Sequence, residues 1–419
     1  MVKYIVFSDP ITKQREYSRQ SGPIYGEPSA PVRWEDTVAP WLVQECEFTR
    51  GENEPCAFHH QIRDLVTLLY VDDCLEDGEE QDIQWASDKL EEGYECKDTE
   101  WLIPFKKLDY LGMEISQDHD YTYLSMQSYI LSALETVGVK VTAKVSTPID
   151  RPIDPDSGPL DAAGRKRFMT GTGCLGWIAN TARPDIAYAH SRISQHMANP
   201  NVSAMDAVIR CFKYLGSTAD LALRAPLYPP DIDLDTTTRN TDDDKGWQFY
   251  CDSDFAGNTE IQNKRRAQNG WIAVENEAPV SWSSKASSVA FASPVIGEGH
   301  ADCSSGAAEI YSAGNATREL LHLSYVADEV GIDFPRPSRL QMDNSTAEAF
   351  ANNSTVRSKL KHIDVRQEWV KTLRDKNLIK PVHVNTKVNI ADILTKILTA
   401  LDFIRLRDMI MHKLPDTID

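Results

Sequence analysis

The chain has 419 residues, with 44 Lys and Arg against 63 Asp and Glu, a formal net charge of −19. That length predicts two or three domains, and a content of 41 % apolar and 26 % charged residues excludes wholesale disorder. The acidity argues against passive, purely electrostatic nucleic-acid binding, so metal ions or local basic patches must attract any nucleic acid.

The longest apolar run, within residues 65–71, falls far short of the ~20 residues that cross a bilayer. No basic start with an apolar core opens the chain, so secretion is not expected. The eight cysteines (Cys46, Cys56, Cys74, Cys96, Cys174, Cys211, Cys251 and Cys303) include no C-x-x-C pair, which disfavours a disulfide framework and a structural zinc site. Asn201 and Asn344, each in an Asn-x-Ser/Thr triplet, read as chance matches.

Residues 1–60 are rich in Pro and Gly and show no long helical period. The run Leu65-Val66-Thr67-Leu68-Leu69-Tyr70-Val71 predicts a buried strand that stops at Asp72-Asp73. A turn at Asp77-Gly78 leads to a helix over 81–92, with Ile83, Ala86 and Leu90 at helical spacing. Residues 108–115 and 121–124 read as strands around the polar turn 117–120, and 128–137 as an amphipathic helix. A Pro- and Asp-rich connector, 146–166, precedes a helical block over about 168–223, broken at Arg183-Pro184. Residues 226–246, with Pro229-Pro230 and Asp242-Asp243-Asp244, give the strongest linker signal.

Beyond the linker, 247–251 and 270–274 read as strands, and 279–282 pairs with the second. A long helix over 304–330 is stopped at Gly331. A strand (339–342), helices (346–352 and 362–376), a strand (379–384) and a helical end (390–414) complete the chain. Strands first, then helices alternating with single strands, define an α/β class with a mixed sheet.

Two adjacent carboxylates at the end of an apolar strand, Tyr70-Val71-Asp72-Asp73, repel one another unless a divalent cation sits there. The segment resembles the reverse transcriptase of copia-type LTR retrotransposons. Tyr25-Gly26, Pro31 and Trp34 fit that family's Y-G-x-x-x-x-P-x-x-W element, and residues 51–58 and Tyr70–Asp73 follow in family order. Tyr110-Leu111-Gly112-Met113-Glu114-Ile115 resembles the primer-grip strand, and Ser146-Thr147-Pro148 the boundary after the thumb. Thr181-Ala182-Arg183-Pro184-Asp185-Ile186-Ala187 is similar to the T-R-P-D-I-A segment. The family's polymerase needs a third aspartate, in a D-x-x-x-A-F-L-x-G context upstream. No such motif precedes Tyr25. Two carboxylates of three cannot hold both metals for in-line transfer, so this chain alone is not expected to polymerise DNA.

The C-terminal portion resembles the RNase H domain of the same family. Asp252 lies in Cys251-Asp252-Ser253-Asp254-Phe255-Ala256-Gly257, similar to D-x-D-W-A-G. Glu309 ends Ser304-Ser305-Gly306-Ala307-Ala308-Glu309, similar to S-S-x-E-A-E, with Ala307 where the family has glutamate. Asp343 follows a strand, and Asp392 lies in Ala391-Asp392-Ile393-Leu394-Thr395-Lys396, similar to A-D-I-x-T-K. Two Mg²⁺ ions ~3.5–4 Å apart need several oxygen ligands converging on both. The resemblance implies that Asp252, Glu309, Asp343 and Asp392 supply them, with Mn²⁺ as a substitute ion. The segment 292–303 is longer than the family's usual link and threatens the placement of Glu309. Asp254 is either exposed or a neighbour supporting the site.

Lys264, Arg265 and Arg266, and Arg357, Lys359 and Lys361, are candidate grips for hybrid backbone phosphates, with a solvated charge run as the alternative for each cluster. His362 suits capping or packing better than catalysis, and His383 is unassigned. Trp177, Trp271, Trp282 and Trp369 sit at core spacing. The resemblance implies an α+β palm fragment over 1–145, a helical connection (146–225), a linker (226–246) and an RNase H-like mixed-sheet α/β domain (247–419). The implied function is Mg²⁺-dependent cleavage of the RNA strand of an RNA–DNA hybrid, in the cytoplasm within virus-like particles or in the nucleus. The implied partners are the hybrid and the remainder of the Pol polyprotein. A degenerate or repurposed remnant that binds nucleic acid or only folds stays open, as does a nuclease acting on DNA.

Overall fold

A computed structural model describes residues 4–8, 15–19, 30–227, 246–254, 266–290, 305–352 and 365–416. It is α/β and divides into two compact units: Met1–Thr99 with Ser324–Asp333, and Glu100–Leu323 with Phe334–Asp419. Among the described residues no helix is long and apolar enough to cross a membrane.

In the first unit, β1 (Tyr4–Ser8) and β2 (Arg15–Arg19) pair antiparallel. They are followed by α1 (Ala30–Glu45), a helix that the sequence reading did not anticipate. Pro40 inside it hides the period, yet Val38, Ala39, Leu42 and Cys46 form one buried stripe. A four-stranded antiparallel sheet runs in chain order through β3 (Thr49–Arg50), β4 (Ala57–His60), β5 (Leu65–Tyr70) and β6 (Asp73–Asp77). Next comes α2 (Glu80–Gly93), as its spacing predicts. The strand β5 is not buried on both faces as expected. Leu65, Thr67 and Leu69 point inward, while Leu68 and Tyr70 are exposed, the alternation of a sheet covered on one side. Trp34 and Trp41 of α1 meet the edge of Tyr94 at the end of α2, and Gly93 leaves room for the Trp41 ring.

The second unit opens with β7 (Lys107–Tyr110), β8 (Met113–Gln117) and β9 (Tyr121–Ser125). The single strand expected over 108–115 is instead a hairpin: Leu111 (φ 53°) and Gly112 (φ 76°) turn the chain between the paired Tyr110 and Met113. The helices α3 (Gln127–Val137), α4 (Ala162–Thr181), α5 (Ala187–Ser194) and α6 (Val202–Ser217) follow, with a 3-10 turn at Pro184–Ile186 where the break was expected. The helical block ends earlier than expected, because β10 (Leu221–Pro226) is a strand paired with β9. Asn201 caps α6 through its side chain and is buried, so that triplet is a helix start. The core of the linker, 228–245, lies outside the described residues.

Next come β11 (Gln248–Asp254), β12 (Arg266–Glu275), β13 (Ala278–Ala290) and α7 (Ser305–Glu329). Gly331, at φ 78°, follows the end of α7 as expected. The chain continues through β14 (Ser338–Met342), α8 (Ser345–Ala351), α9 (Val365–Asp375) and β15 (Ile379–His383). The helical end expected over 390–414 is three pieces: a 3-10 turn at Ile390–Leu394, α10 (Ala400–Arg407) and β16 (His412–Lys413).

Two five-stranded sheets result, in the orders β16-β10-β9-β8-β7 and β13-β12-β11-β14-β15. The second is mixed, with β11 antiparallel to β12 and parallel to β14. A large apolar core joins the helices to the second sheet, beside a smaller cluster at Tyr123 and Ala222. The large core runs from Ile130, Phe168, Leu175 and Phe212 on the helices to Ile272 on β12, and on to Leu394, Phe403 and Met411. The Trp282 indole donates to the Ala179 carbonyl across this core (2.7 Å). Trp271 and Trp282 are half-buried, but Trp177 and Trp369 are 44 % and 38 % exposed and are not core residues.

Candidate metal centre

Asp252 sits on β11, the central strand, opposite Gly270 of β12. In the parallel pairing with β14, Tyr250 meets Gln341. Two residues further along the same register Asp252 comes level with Asp343, just past the end of β14. Helix α7 is docked over these strands by Ser312, whose hydroxyl donates to the carbonyls of Asp252 (2.8 Å) and Gly270 (3.1 Å). Glu309, one turn earlier on α7, therefore faces the same point. Ligand oxygens of Asp252, Glu309 and Asp343 all lie within 4.8 Å of one another. Glu309 reaches this cluster, while the segment before α7, residues 291–304, lies outside the described residues.

Asp392 approaches from the 3-10 turn Ile390–Leu394, which packs directly on the sheet. A Cβ at Gly270 would stand 2.7 Å from Leu394 Cβ and from Thr395 Cγ2, so only glycine admits the turn this closely. Asn389 pins its start through the Cys251 carbonyl (3.2 Å), and Ser284 donates to the Leu394 carbonyl (2.6 Å). Asp392 is buried beside the trio but does not join it. It pairs with Lys396 Nζ (2.9 Å), which also lies 3.7 Å from Asp252 Oδ2, the oxygen that accepts from the Thr395 hydroxyl. Lys396 and Thr395 contact these acids, a part that motif reading did not assign to them. The i,i+4 spacing of Asp392 and Lys396 was the available signal.

The electrostatics are those of crowded carboxylates, most of them buried. Burial, then the charges of Asp252 and Asp343, push Glu309 up to about 10, and its buried Oε2 has no hydrogen-bond partner among the described residues. Burial, then the charge of Asp252, raise Asp392 to about 7 against the opposing pull of Lys396. Burial works against the charge on Lys396, but Asp252 and Asp392 outweigh it and hold its pKa above the usual lysine value. Asp254 is half-buried rather than exposed, and burial raises it. An all-oxygen donor set of this kind, with an orphaned buried carboxylate oxygen, suits a hard divalent cation.

Asp72 and Asp73 lie at the tip of the β5–β6 hairpin, where Tyr70 pairs with Asp73 around a two-residue turn. Val71 takes φ 55°, a strained value for a β-branched residue, and its carbonyl accepts from the Trp34 indole. Both aspartates are exposed, and among the described residues no third His, Cys, Asp or Glu completes a metal cluster with them. Arg266 is exposed at the start of β12. Lys264, Arg265, Arg357, Lys359, Lys361 and His362 lie outside the described residues. Asn344 accepts from the Ala347 amide (3.1 Å) at the start of α8, a cap like Asn201.

No family model matches the chain. It is 28 % identical over 388 residues to the retrovirus-related Pol polyprotein from transposon RE1 of Arabidopsis thaliana, covering 91 % of this chain and 24 % of that protein. To the corresponding polyprotein from transposon TNT 1-94 of Nicotiana tabacum it is 25 % identical over 403 residues, 93 % of this chain and 28 % of the relative. The polyprotein from transposon RE2 of Arabidopsis thaliana is 28 % identical over 385 residues, 91 % of this chain and 24 % of the relative. Over about nine-tenths of the chain, these curated relatives are copia-type retrotransposon Pol polyproteins. The chain spans about a quarter of the length of the curated relatives it matches.

Proposed function

We propose that this retroelement chain cleaves the RNA strand of RNA–DNA hybrids by Mg²⁺-dependent hydrolysis. The observation that carries the reading is the convergence of Asp252, Glu309 and Asp343 within 4.8 Å, with a buried Glu309 oxygen that has no hydrogen-bond partner among the described residues. The three come from a central strand, a helix facing it and a neighbouring strand end, the arrangement that the RNase H resemblance implies. These residues, with Asp392 alongside, would hold the ions, which when bound lower the pKa of a water and offset charge on the leaving 3′ oxygen. Ser312 keeps Glu309 over the strands, and Thr395 and Lys396 orient Asp252. Hybrid would be recognised by its 2′-hydroxyls and minor-groove shape, with Arg266 and the other basic residues on phosphates.

Asp343→Asn keeps the size of the side chain and removes its charge. Cleavage of a labelled hybrid is expected to fall below detection while hybrid binding changes less than about threefold; an unaltered rate rejects the site. A second reading, a remnant without catalysis, is favoured by Ala307 standing where the family has glutamate. The same assay decides between them, since the remnant leaves the hybrid intact at any Mg²⁺ concentration. Nucleotide incorporation at the Asp72–Asp73 hairpin is not expected.

A further inference from the structure

The fourth acid of the motif set is turned toward a lysine. Lys396 Nζ lies between Asp392 Oδ1 (2.9 Å) and Asp252 Oδ2 (3.7 Å), and the Thr395 hydroxyl donates to that same Asp252 oxygen. We propose that Lys396 is a fixed counter-cation of this centre, standing where a second divalent ion would sit, so that the chain free of nucleic acid holds one ion, on Asp252, Glu309 and Asp343. The inference rests on reading the trio as a metal centre.

Three observations support it. A pair of ions ~3.5–4 Å apart needs a carboxylate shared between them, and Asp252, the member of the trio that also meets Lys396 and Thr395, already has Oδ2 engaged on the Asp392 side. A divalent ion between Asp252 and Asp392 would stand against the ammonium and meet like-charge repulsion in a poorly solvated place. The lysine is also held by its backbone. It follows a 3-10 turn pinned at Asn389, at the Leu394 carbonyl and against Gly270, so its stem starts from a fixed point. Charge counting agrees: the four acids and the half-buried Asp254 face Lys396, Arg192 and one divalent ion, leaving a small residual negative charge.

Mn²⁺ titrated into the full chain without nucleic acid, with free ion counted by electron paramagnetic resonance, tests the proposal. One bound ion per wild-type chain, two for Lys396→Met and one for Lys396→Arg are expected. Two ions in the wild type, or one in a folded Lys396→Met, overturn it. If Lys396→Met does not keep its circular dichroism spectrum, the wild-type count alone decides. Failure of the underlying centre looks different: wild type then binds no Mn²⁺, or Glu309→Gln binds as wild type does, and the lysine proposal falls with it.

Discussion

Arg183 is fully buried, and every part of its guanidinium is used. It forms a two-pronged pair with Asp185 (2.9 and 2.7 Å) and donates to the carbonyl and hydroxyl of Thr218 (both 2.9 Å). Tyr214 adds a hydroxyl donor to Asp185 (2.6 Å). This network assigns the T-R-P-D-I-A motif a structural task, tying the end of α4 to the end of α6. A buried pair of this kind is costly to break from one side. Asp185→Asn is expected to lower unfolding stability by about 3–5 kcal/mol, read from urea denaturation. The motif was legible in the sequence but its task was not, because Thr218 lies 35 residues downstream of Arg183. Glu114 is similar. The residue falls in the primer-grip resemblance, yet it is buried and accepts from Ser125 Oγ (2.7 Å) and Gln127 N (2.9 Å) at the start of α3. Burial alone would raise its pKa, but the bonds from Ser128 and Ser125 outweigh it and lower it. Its folded pKa lies below the unfolded one, so its contribution is present above the ordinary carboxylate range and lost as pH falls through the folded value. Wild type is therefore expected to lose more stability than Glu114→Gln in acid, as thermal scans would show.

At the scale of elements, period and turn chemistry revealed most strands and helices, including β5, α2, α3, α7 and β14. The misses share a cause. The helix α1 carries a proline within its period, the Leu111-Gly112 turn lies inside an apolar run, and the 390–414 stretch is apolar enough to resemble one helix. Packing decided each of these. The 3-10 turn Ile390–Leu394 lies on β12 only because Gly270 has no side chain. Gly270→Ala is expected to cost about 1–3 kcal/mol of stability, typical of overpacking. By lifting Thr395 and Lys396 off Asp252 it should also raise the Mn²⁺ count above one per chain, whereas an unchanged count would contradict that role for the turn. The four acids themselves were legible from motif order. That three of them meet and the fourth turns to Lys396 was not, since strand register and helix docking set those distances.

Across the whole molecule, the cluster of acids around Glu309 makes folding depend on protons. The folded chain holds Glu309 near about 10 rather than 4.5, so it prefers the neutral acid. The associated stability is complete below about 4.5 and is lost as pH rises toward about 10. Without metal, wild type is expected to lose thermal stability relative to Glu309→Gln as pH rises from about 5 to 9. Mg²⁺ should restore the wild type most at high pH and release protons as it binds, which calorimetry in buffers of different ionisation enthalpy would detect. The apolar interior shared by α3–α6, β12 and the last helix has a consequence for modularity. A polypeptide cut to residues 247–419 would leave Ile272, Val274 and Leu394 facing water and is expected to lose cooperative melting and aggregate. The mixed sheet β11–β15 is thus not a portable cassette: it can be inherited intact only together with the helices that seal its underside.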